Sequence, residues 1–352
     1  MPNDADHALP LAQAVHAAAA ARTSLAICGA GTKRFYTGEI AGQPLDVTAH
    51  RGIVSYEPTE LVVTARAGTP LREIEAALAE KHQILAFEPP HFGPKATLGG
   101  TIACNLSGPR RPYVGAARDF VLGTRIINGK GEVLKFGGQV MKNVAGYDVS
   151  RLMAGSYGTL GVLLDISLKV LPKPVQEITL KFATDADAAI HQMNAWAGQP
   201  LPLTAACYLG DTLYVRLSGT DKGVRAAHIK LGGEHDTRGA VFWQELREQQ
   251  LLFFAGEVPL WRLSVPSAAP HLDLPGKWLL DWGGAQRWLR TSADEVDVLH
   301  VAEAAGGHAK LFRHTGRPNP AHPSTVMASP LAHELRRAFD PFAVFNQALS
   351  QT

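Results

Sequence analysis

The chain has 352 residues, 46% of them hydrophobic and 19% charged, with a formal net charge of +2. That length favours two domains over one, and that balance fills ordinary globular cores. A charge this close to zero, with no run of Lys or Arg, excludes an electrostatic nucleic-acid binder, and the pair Arg110-Arg111 reads as solvated loop. Cys28, Cys104 and Cys207 are odd in number, far apart and without a C-x-x-C pair, so a disulfide framework, a zinc site and an iron–sulfur cluster are all poorly supported. The chain reads as a reduced, cytosolic protein. Asp4 and Asp6 stand where a signal peptide carries positive charge, residues 11–21 read as a soluble helix, and no stretch approaches the roughly 20 apolar residues of a membrane span, so any membrane association is expected to come through partners.

In chain order, residues 24–28 (SLAIC) form a short apolar strand that feeds Gly29-Ala30-Gly31. Residues 61–66 (LVVTAR) form a β-branched strand. Thr69 suits a helix N-cap and Pro70 the first helical position, with Leu71, Ile74 and Leu78 on one face of the helix that follows. Residues 119–127 and 132–136 are strands of a hairpin around Asn128-Gly129-Lys130-Gly131. Val162, Leu164, Ile166, Leu168 and Val170 alternate with Leu163, Asp165, Ser167 and Lys169, the pattern of a half-buried strand. Leu171-Pro172-Lys173-Pro174 ends it and marks a domain boundary, because proline cannot continue a ladder. Beyond it come a strand at 178–182, a helix at 185–197, strands at 205–209 and 213–217, and a helix at 221–231, the start of a split βαβ sheet. Strands at 260–265, 277–281 and 308–312, a helix at 294–305, and a helix and turn over 331–345 complete the reading.

Three glycine-rich segments lie in the first half: Gly29-Ala30-Gly31-Thr32-Lys33; Thr97-Leu98-Gly99-Gly100-Thr101 with Asn105; and Gly155-Ser156-Tyr157-Gly158-Thr159-Leu160-Gly161. Glycine lets backbone approach a ligand and adopt positive φ, and successive N–H groups in such turns form anion-binding concavities. Any one segment is read equally as a tight turn; together they point to a nucleotide cofactor. A Rossmann domain is excluded, because position 34 is Arg where a third glycine is needed and residues 35–38 make a poor helix.

These segments, with 57–70, 115–119 and the tail Phe339-Asp340-Pro341 to Phe345-Asn346, resemble the FAD-binding domain shared by vanillyl-alcohol oxidase and para-cresol methylhydroxylase (PCMH). Residues 87–107 (FEPPHFGPKATLGGTIACNLS), 108–120 (GPRRPYVGAARDF), 136–153, 261–266 (WRLSVP) and 281–288 (DWGGAQRW) resemble the FAD-binding E subunits of bacterial glycolate oxidases over nearly the whole chain. The resemblance implies an α+β chain: a two-subdomain PCMH-type FAD-binding domain at 1–173, a smaller split βαβ-like cap domain at 174–328 that covers the flavin ring, and a tail at 329–352 that returns to the first domain. It implies phosphate contacts at Gly29, Ala30, Gly31, Thr32 and Lys33. Leu98, Gly99, Gly100, Thr101 and Asn105 would lie along the diphosphate and ribityl chain, Gly115 and Asp119 beside that segment, and Gly155, Gly158, Gly161 and Val162 towards the adenosine, with Asn346 closing the site. The first loop has no histidine for a covalent flavin link, and Cys104 reads as a small packing residue, so the FAD is expected to be non-covalent.

Oxidation of a 2-hydroxy acid needs a base for the hydroxyl proton, a cation for the carboxylate and a flavin for the hydride. His91 is the first choice of base by position, ahead of His308 and His314. Arg262 and Arg287, with Arg313, are candidates for the carboxylate. Each also reads as an ordinary packed or surface residue, and Trp282 and Trp288 either meet the flavin edge or form cap core. The H-x-G-D-G-N metal motif of related hydroxy-acid dehydrogenases is missing. The resemblance implies partners, a sister FAD subunit and an iron–sulfur subunit, and glycolate as substrate. Two alternatives remain: an FAD-bearing relay or structural subunit without a substrate site, and a flavin-free interaction subunit.

Overall fold

Residues 5–37, 40–138, 147–314 and 330–346 are described by a computed structural model. The chain divides into two units: Met1–Leu106, Ala116–Pro172 and Pro320–Thr352 form the first, and Ser107–Gly115 with Lys173–Asn319 the second. Among the described residues, no helix is long and apolar enough to cross a membrane.

The first unit opens with the helix Ala8–Ala21, whose Leu11, Val15 and Ala18 recur at helical spacing and are buried. They share one apolar cluster with Leu25, Ile127, Val162, Leu164, Val344 and Phe345. Strand Leu25–Cys28 pairs in parallel with Gln43–Asp46. The distant tail joins the same strand: the Leu25 N–H donates to Val344 O at 2.7 Å and the Asn346 N–H to Leu25 O at 3.1 Å. A five-stranded antiparallel sheet completes the unit, in the order Ile53–Glu57, Val62–Arg66, Val162–Lys169, Val121–Ile127 and Val133–Gly137.

Two local expectations change here. The strand Val162–Lys169 is not half-buried: it sits at the sheet's centre, and only Asp165 and Lys169 are partly exposed. Thr69 does not cap the helix Leu71–Ala79, where Pro70 holds the cap position. The Thr69 hydroxyl accepts from the Gly52 N–H at 2.9 Å and donates to Gly52 O at 3.1 Å, so a tertiary partner outcompetes the local one.

The second unit is built on an eight-stranded sheet ordered Glu234–His235, Gln176–Ala183, Thr212–Gly219, Leu203–Leu209, Lys277–Asp281, Gln286–Arg290, Leu260–Ser264 and His308–Arg313. Gln176–Ala183 and Leu203–Leu209 each pair antiparallel with Thr212–Gly219 between them, and the helix Ala186–Ala197 connects the outer two. That is the expected split βαβ arrangement. One face carries Leu180, Leu213, Val215 and Leu280 under this helix and Asp221–Leu231, and Leu263 and Leu289 under Glu295–Ala304. By the two-residue period, Thr179, Arg216, Asp281, Gln286 and Arg262 fall on the other face.

The short arm Ser107–Gly115 belongs to this second unit. Arg110 donates to Glu177 Oε2 at 2.9 Å and is 6% exposed. Arg111 lies with its guanidinium carbon 4.1 Å from the Trp282 ring centroid. The pair is therefore not solvated loop; its carboxylate and indole partners arrive from more than sixty residues away in sequence.

Candidate functional site

In the first unit, strand Leu25–Cys28 delivers residues 29–33, and one helical turn, Arg34–Thr37, follows. The sequence reading gave no helix here; the single turn is too short to alter the exclusion of a Rossmann domain. Gly31 has φ +72°, a conformation that favours glycine. Among the described residues, the N–H groups of Ala30, Gly31 and Thr32 meet no protein acceptor, which leaves three successive donors for a bound group. Lys33 is 6% exposed rather than a surface lysine. Its ammonium donates to His91 O at 3.3 Å and lies 5.9 Å from the Phe92 centroid, and Phe92 meets Phe35 edge-on at 5.2 Å. The first loop is thus pinned to residues 91–92, and His91 Nε2 is held by Glu75 Oε1 at 3.1 Å.

The second segment is a helix, Leu98–Cys104, capped by the Thr97 hydroxyl, which accepts from the Gly100 N–H at 3.4 Å. Its other early donors are used within the protein: the Leu98 N–H goes to Thr69 O at 2.9 Å, Gly99 to Ala67 O at 2.7 Å and Thr101 to Thr97 O at 3.0 Å. A Cβ on Gly99 would lie 2.7 Å from Ala67 Cβ, whereas one on Gly100 would meet only Thr97 Oγ1 at 3.2 Å. A Cβ on Gly29 would lie 2.7 Å from that same Thr97 Oγ1, so the backbone of the first segment packs directly on the Thr97 side chain. Leu98, Thr101 and Val162 are fully or almost fully buried and offer no side-chain surface. The Thr101 hydroxyl is buried with no partner among the described residues.

The third segment docks on the end of this helix. The Gly155 N–H donates to Ile102 O at 3.1 Å and the Tyr157 N–H to Ala103 O at 3.0 Å. Asn105 closes the helix in the left-handed region, at φ +51°, and its Oδ1 accepts from the Arg118 N–H at 3.1 Å. Asp119 Oδ2 accepts from the Ala116 N–H at 2.8 Å, a local turn that shapes the neighbouring backbone. Gly115, at φ +105°, belongs to the arm of the second unit and closes its short helix. Asn346 is 1% exposed and ties the site from the tail: its Oδ1 accepts from the Ile27 N–H at 3.0 Å and its Nδ2 donates to Tyr157 O at 2.7 Å. Gly158 must lack a Cβ because one would sit 2.8 Å from that Nδ2. Gly161 likewise packs against Ile127 O.

Tyr157 was missed in the sequence. It takes φ +52° between Gly155 and Gly158, and its phenol donates to the Tyr36 phenol at 3.3 Å, joining the third segment to the first. Its place as the only aromatic residue in the run GSYGTLG was the available signal. The three segments therefore converge, and the partly exposed surface they leave is mostly backbone: residues 29–32, Gly100 and Gly155, with Asn105 and Tyr157. That surface suits the diphosphate of a dinucleotide. Cys104 is buried.

The arginines of the second unit differ sharply. Arg287 has no exposure; its Nε donates to Gly284 O at 3.0 Å, one terminal nitrogen to Pro270 O at 2.6 Å and the other to Ala269 O. Burial lowers its pKa to about 10. A guanidinium so enclosed ties a loop to the sheet and has no fork to offer a substrate, which removes the carboxylate role expected of it. Arg262 is half-buried, 5.3 Å from the Trp282 centroid. His308 is exposed at the edge strand, its pKa lowered by partial burial and by Arg262. Trp288 is core, edge-on to Phe254 and Phe312.

A fold of this kind, with backbone loops converging around a partly exposed, glycine-lined surface, fits an FAD-binding α+β protein. The FAD binding domain family matches residues 5–137. Glycolate oxidase subunit GlcE of Escherichia coli strain K12 is 49% identical over 346 residues, 98% of each chain, and this chain belongs to that family of flavoprotein subunits. Glycolate oxidase subunit GlcD of Bacillus subtilis strain 168 is 34% identical over 129 residues, 36% of this chain and 27% of that protein. Among solved structures, alkyldihydroxyacetonephosphate synthase shares the fold, with a TM-score of 0.67 at 15% identity, over 97% of this chain and 74% of that one.

Proposed function

We propose that the chain is the FAD-binding subunit of a multi-subunit glycolate oxidase and that residues 29–33, Gly100, Asn105, Gly155 and Gly158 frame its cofactor, with Gly99 letting the second segment pack on Ala67. The observation that carries this reading is the convergence of three Cβ-poor segments with the donors of Ala30, Gly31 and Thr32 left without protein acceptors. When bound, FAD supplies the hydride acceptor for a 2-hydroxy acid. The chain's own part is to bind and orient. Thr97 holds Gly100, Asn346 holds the first strand against the third segment, and Lys33 fixes the first loop to residues 91–92. His91 is the proposed base. Its ring is oriented by the contact of Nε2 with Glu75 Oε1 at 3.1 Å, and an imidazole is the natural group to take a hydroxyl proton. Arg262 is the proposed partner of the substrate carboxylate. The assembly partners are a sister flavin subunit and an iron–sulfur subunit, and the resemblance of residues shared with subunit GlcD supports the first of these.

One observation favours a second reading, an FAD-bearing relay subunit without its own turnover. The second unit lacks the H-x-G-D-G-N motif, and among the described residues no three His, Cys, Asp or Glu side chains gather as metal ligands. The visible spectrum of the purified chain tests both readings: flavin bands at one per chain are expected. Anaerobic glycolate should bleach them in the isolated chain if it turns over substrate, and only in the assembled oxidase if it relays electrons. A colourless chain that cannot be loaded with FAD leaves the flavin-free alternative.

A further inference from the structure

The turn that follows the helix Pro330–Phe339 is fastened to a hairpin far from it in sequence. The Gly129 N–H donates to Phe339 O at 2.8 Å, and the rings of Phe339 and Phe136 meet edge-on at 6.0 Å. A Cβ on Gly129 would overlap Asp340 Oδ1 and lie 2.7 Å from Asp340 Cα. Gly129 lies outside the left-handed region, so the hairpin does not need glycine there for its backbone; the missing side chain makes room for Asp340. Asp340 is 7% exposed, and its two oxygens are divided between successive amides. Oδ1 accepts from the Val344 N–H at 2.9 Å and Oδ2 from the Phe345 N–H at 2.8 Å. Burial raises its pKa in spite of these two donors, so the fold keeps a carboxylate where an uncharged side chain would meet no such opposition.

Ala343, at φ +53°, and Asn346, at φ +42°, both take the left-handed conformation that residues with side chains disfavour. Such backbone persists where surrounding bonds over-determine it. Here the carboxylate fixes the amides of Val344 and Phe345, the two residues between them. The turn so shaped lays Val344 O on the Leu25 N–H at 2.7 Å and the Asn346 N–H on Leu25 O at 3.1 Å. It also delivers the Asn346 side chain, which bridges the Ile27 N–H and Tyr157 O. A continuous series of contacts therefore runs from Gly129 through Asp340 to the strand that carries residues 29–33 and to the third glycine segment. We propose that Asp340 is a positioning residue of the flavin site: its carboxylate, seated over Gly129, shapes the turn through which Asn346 holds the first and third glycine segments together. This deepens the reading above and rests on it for the ligand, FAD. By linkage, a cofactor that binds the fastened tail more tightly than the loosened one also fastens the tail.

The test is titration of the full-length apoprotein with FAD, read by flavin fluorescence, together with amide hydrogen exchange read by mass spectrometry. Asp340→Asn keeps the shape but turns one acceptor into a donor, and should weaken FAD binding by about tenfold. Gly129→Ala leaves the sequence of the tail intact, should weaken FAD binding by a similar factor, and carries the test should Asp340→Asn not fold. In both variants the amides of residues 24–28 and 342–346 should exchange faster, while the strands Val62–Arg66 and Val162–Lys169 keep their wild-type protection. A merely structural role would speed all of them alike. Asn346→Ala should also weaken FAD binding, and adding Asp340→Asn to it should weaken binding little further, because the carboxylate acts through Asn346. In the wild-type chain, saturating FAD should slow exchange at 342–346. Wild-type FAD affinity in both Asp340→Asn and Gly129→Ala, losses that multiply in the double variant, or faster exchange throughout the central sheet would overturn the proposal. Flavin uptake that these substitutions leave unchanged would remove Asp340 from the site and leave the FAD reading intact. A wild-type chain that takes up no flavin would sink that reading, and the proposal with it.

Discussion

Two pairs of residues, one in each unit, look interchangeable in sequence and differ in place. Gly99 and Gly100 are neighbours in the first unit, yet Gly99 is wedged against Ala67 and Gly100 faces a nearly open side. Arg262 and Arg287 lie on adjacent strands of the second unit, yet Arg287 is enclosed by three carbonyls and Arg262 lies half-buried beside an indole. In each pair one residue is enclosed by the fold and the other keeps part of its surface. In the proposed site the first unit would meet its cofactor mainly with backbone, where side chains would obstruct.

Paired substitutions can break this comparison. The largest effect is expected at Arg287. Arg287→Ala leaves three carbonyls without their donors and opens a cavity, and should cost on the order of 4 kcal/mol in chemical denaturation. Arg262→Ala, losing a partly exposed cation–π contact, should cost under about 1 kcal/mol. Equal losses would erase the distinction between the two arginines. Next comes Gly100→Val, which places carbon on the open side and should weaken FAD binding by about 100-fold, ~2.7 kcal/mol, with the fold retained by circular dichroism. A folded Gly100→Val protein with full flavin would contradict the site. Gly99→Ala should do the opposite, lowering stability by about 1–3 kcal/mol through overpacking against Ala67, with FAD affinity little changed in the folded fraction.

The smallest effect concerns acid. Burial alone would raise the Asp6 carboxyl, but the Ala8 N–H and the guanidinia of Arg125 and Arg66 outweigh it and hold its pKa at about 2, below the ordinary 3.8. A depressed pKa stabilises the fold fully above 3.8, and that contribution is lost as pH falls towards 2. Asp6→Asn should therefore flatten the stability profile in that acid window and leave its slope above pH 5 unchanged; a change in slope near neutrality would point to another group. Asp6 is 44% exposed in its side chain, so solvent screening keeps the effect small.

What was legible in the sequence were patterns that local chemistry decides. The hairpin at Asn128 needed only its turn residues, since Asn128 Oδ1 accepts from the Lys130 and Glu132 N–H groups at 3.0 Å. The split βαβ start followed from alternating runs, and the glycine segments from composition. The helix Leu98–Cys104 was not legible, because Gly99-Gly100 opposes a helix locally and the turn is held by acceptors from Ala67 and Thr69. The helix Gly239–Arg247 starts without a side-chain cap and was missed as well. Arg110, Arg111 and Arg287 were misread for one reason: a sequence shows an arginine's charge, whereas its role depends on partners that the fold brings from far away.

The bonds of Asn346 reach across 319 residues to Ile27. On the ribosome, strand Leu25–Cys28 emerges early and then waits for a partner translated more than three hundred codons later. Until that tail arrives, the loop at 29–33 hangs from an unfinished strand, and the helix Ala8–Ala21 has only part of its packing. If the loop at 29–33 holds the flavin as proposed, loading is expected only after the tail has been made. A ribosome stalled short of the tail should display a polypeptide with an assembled central sheet and no capacity to turn yellow.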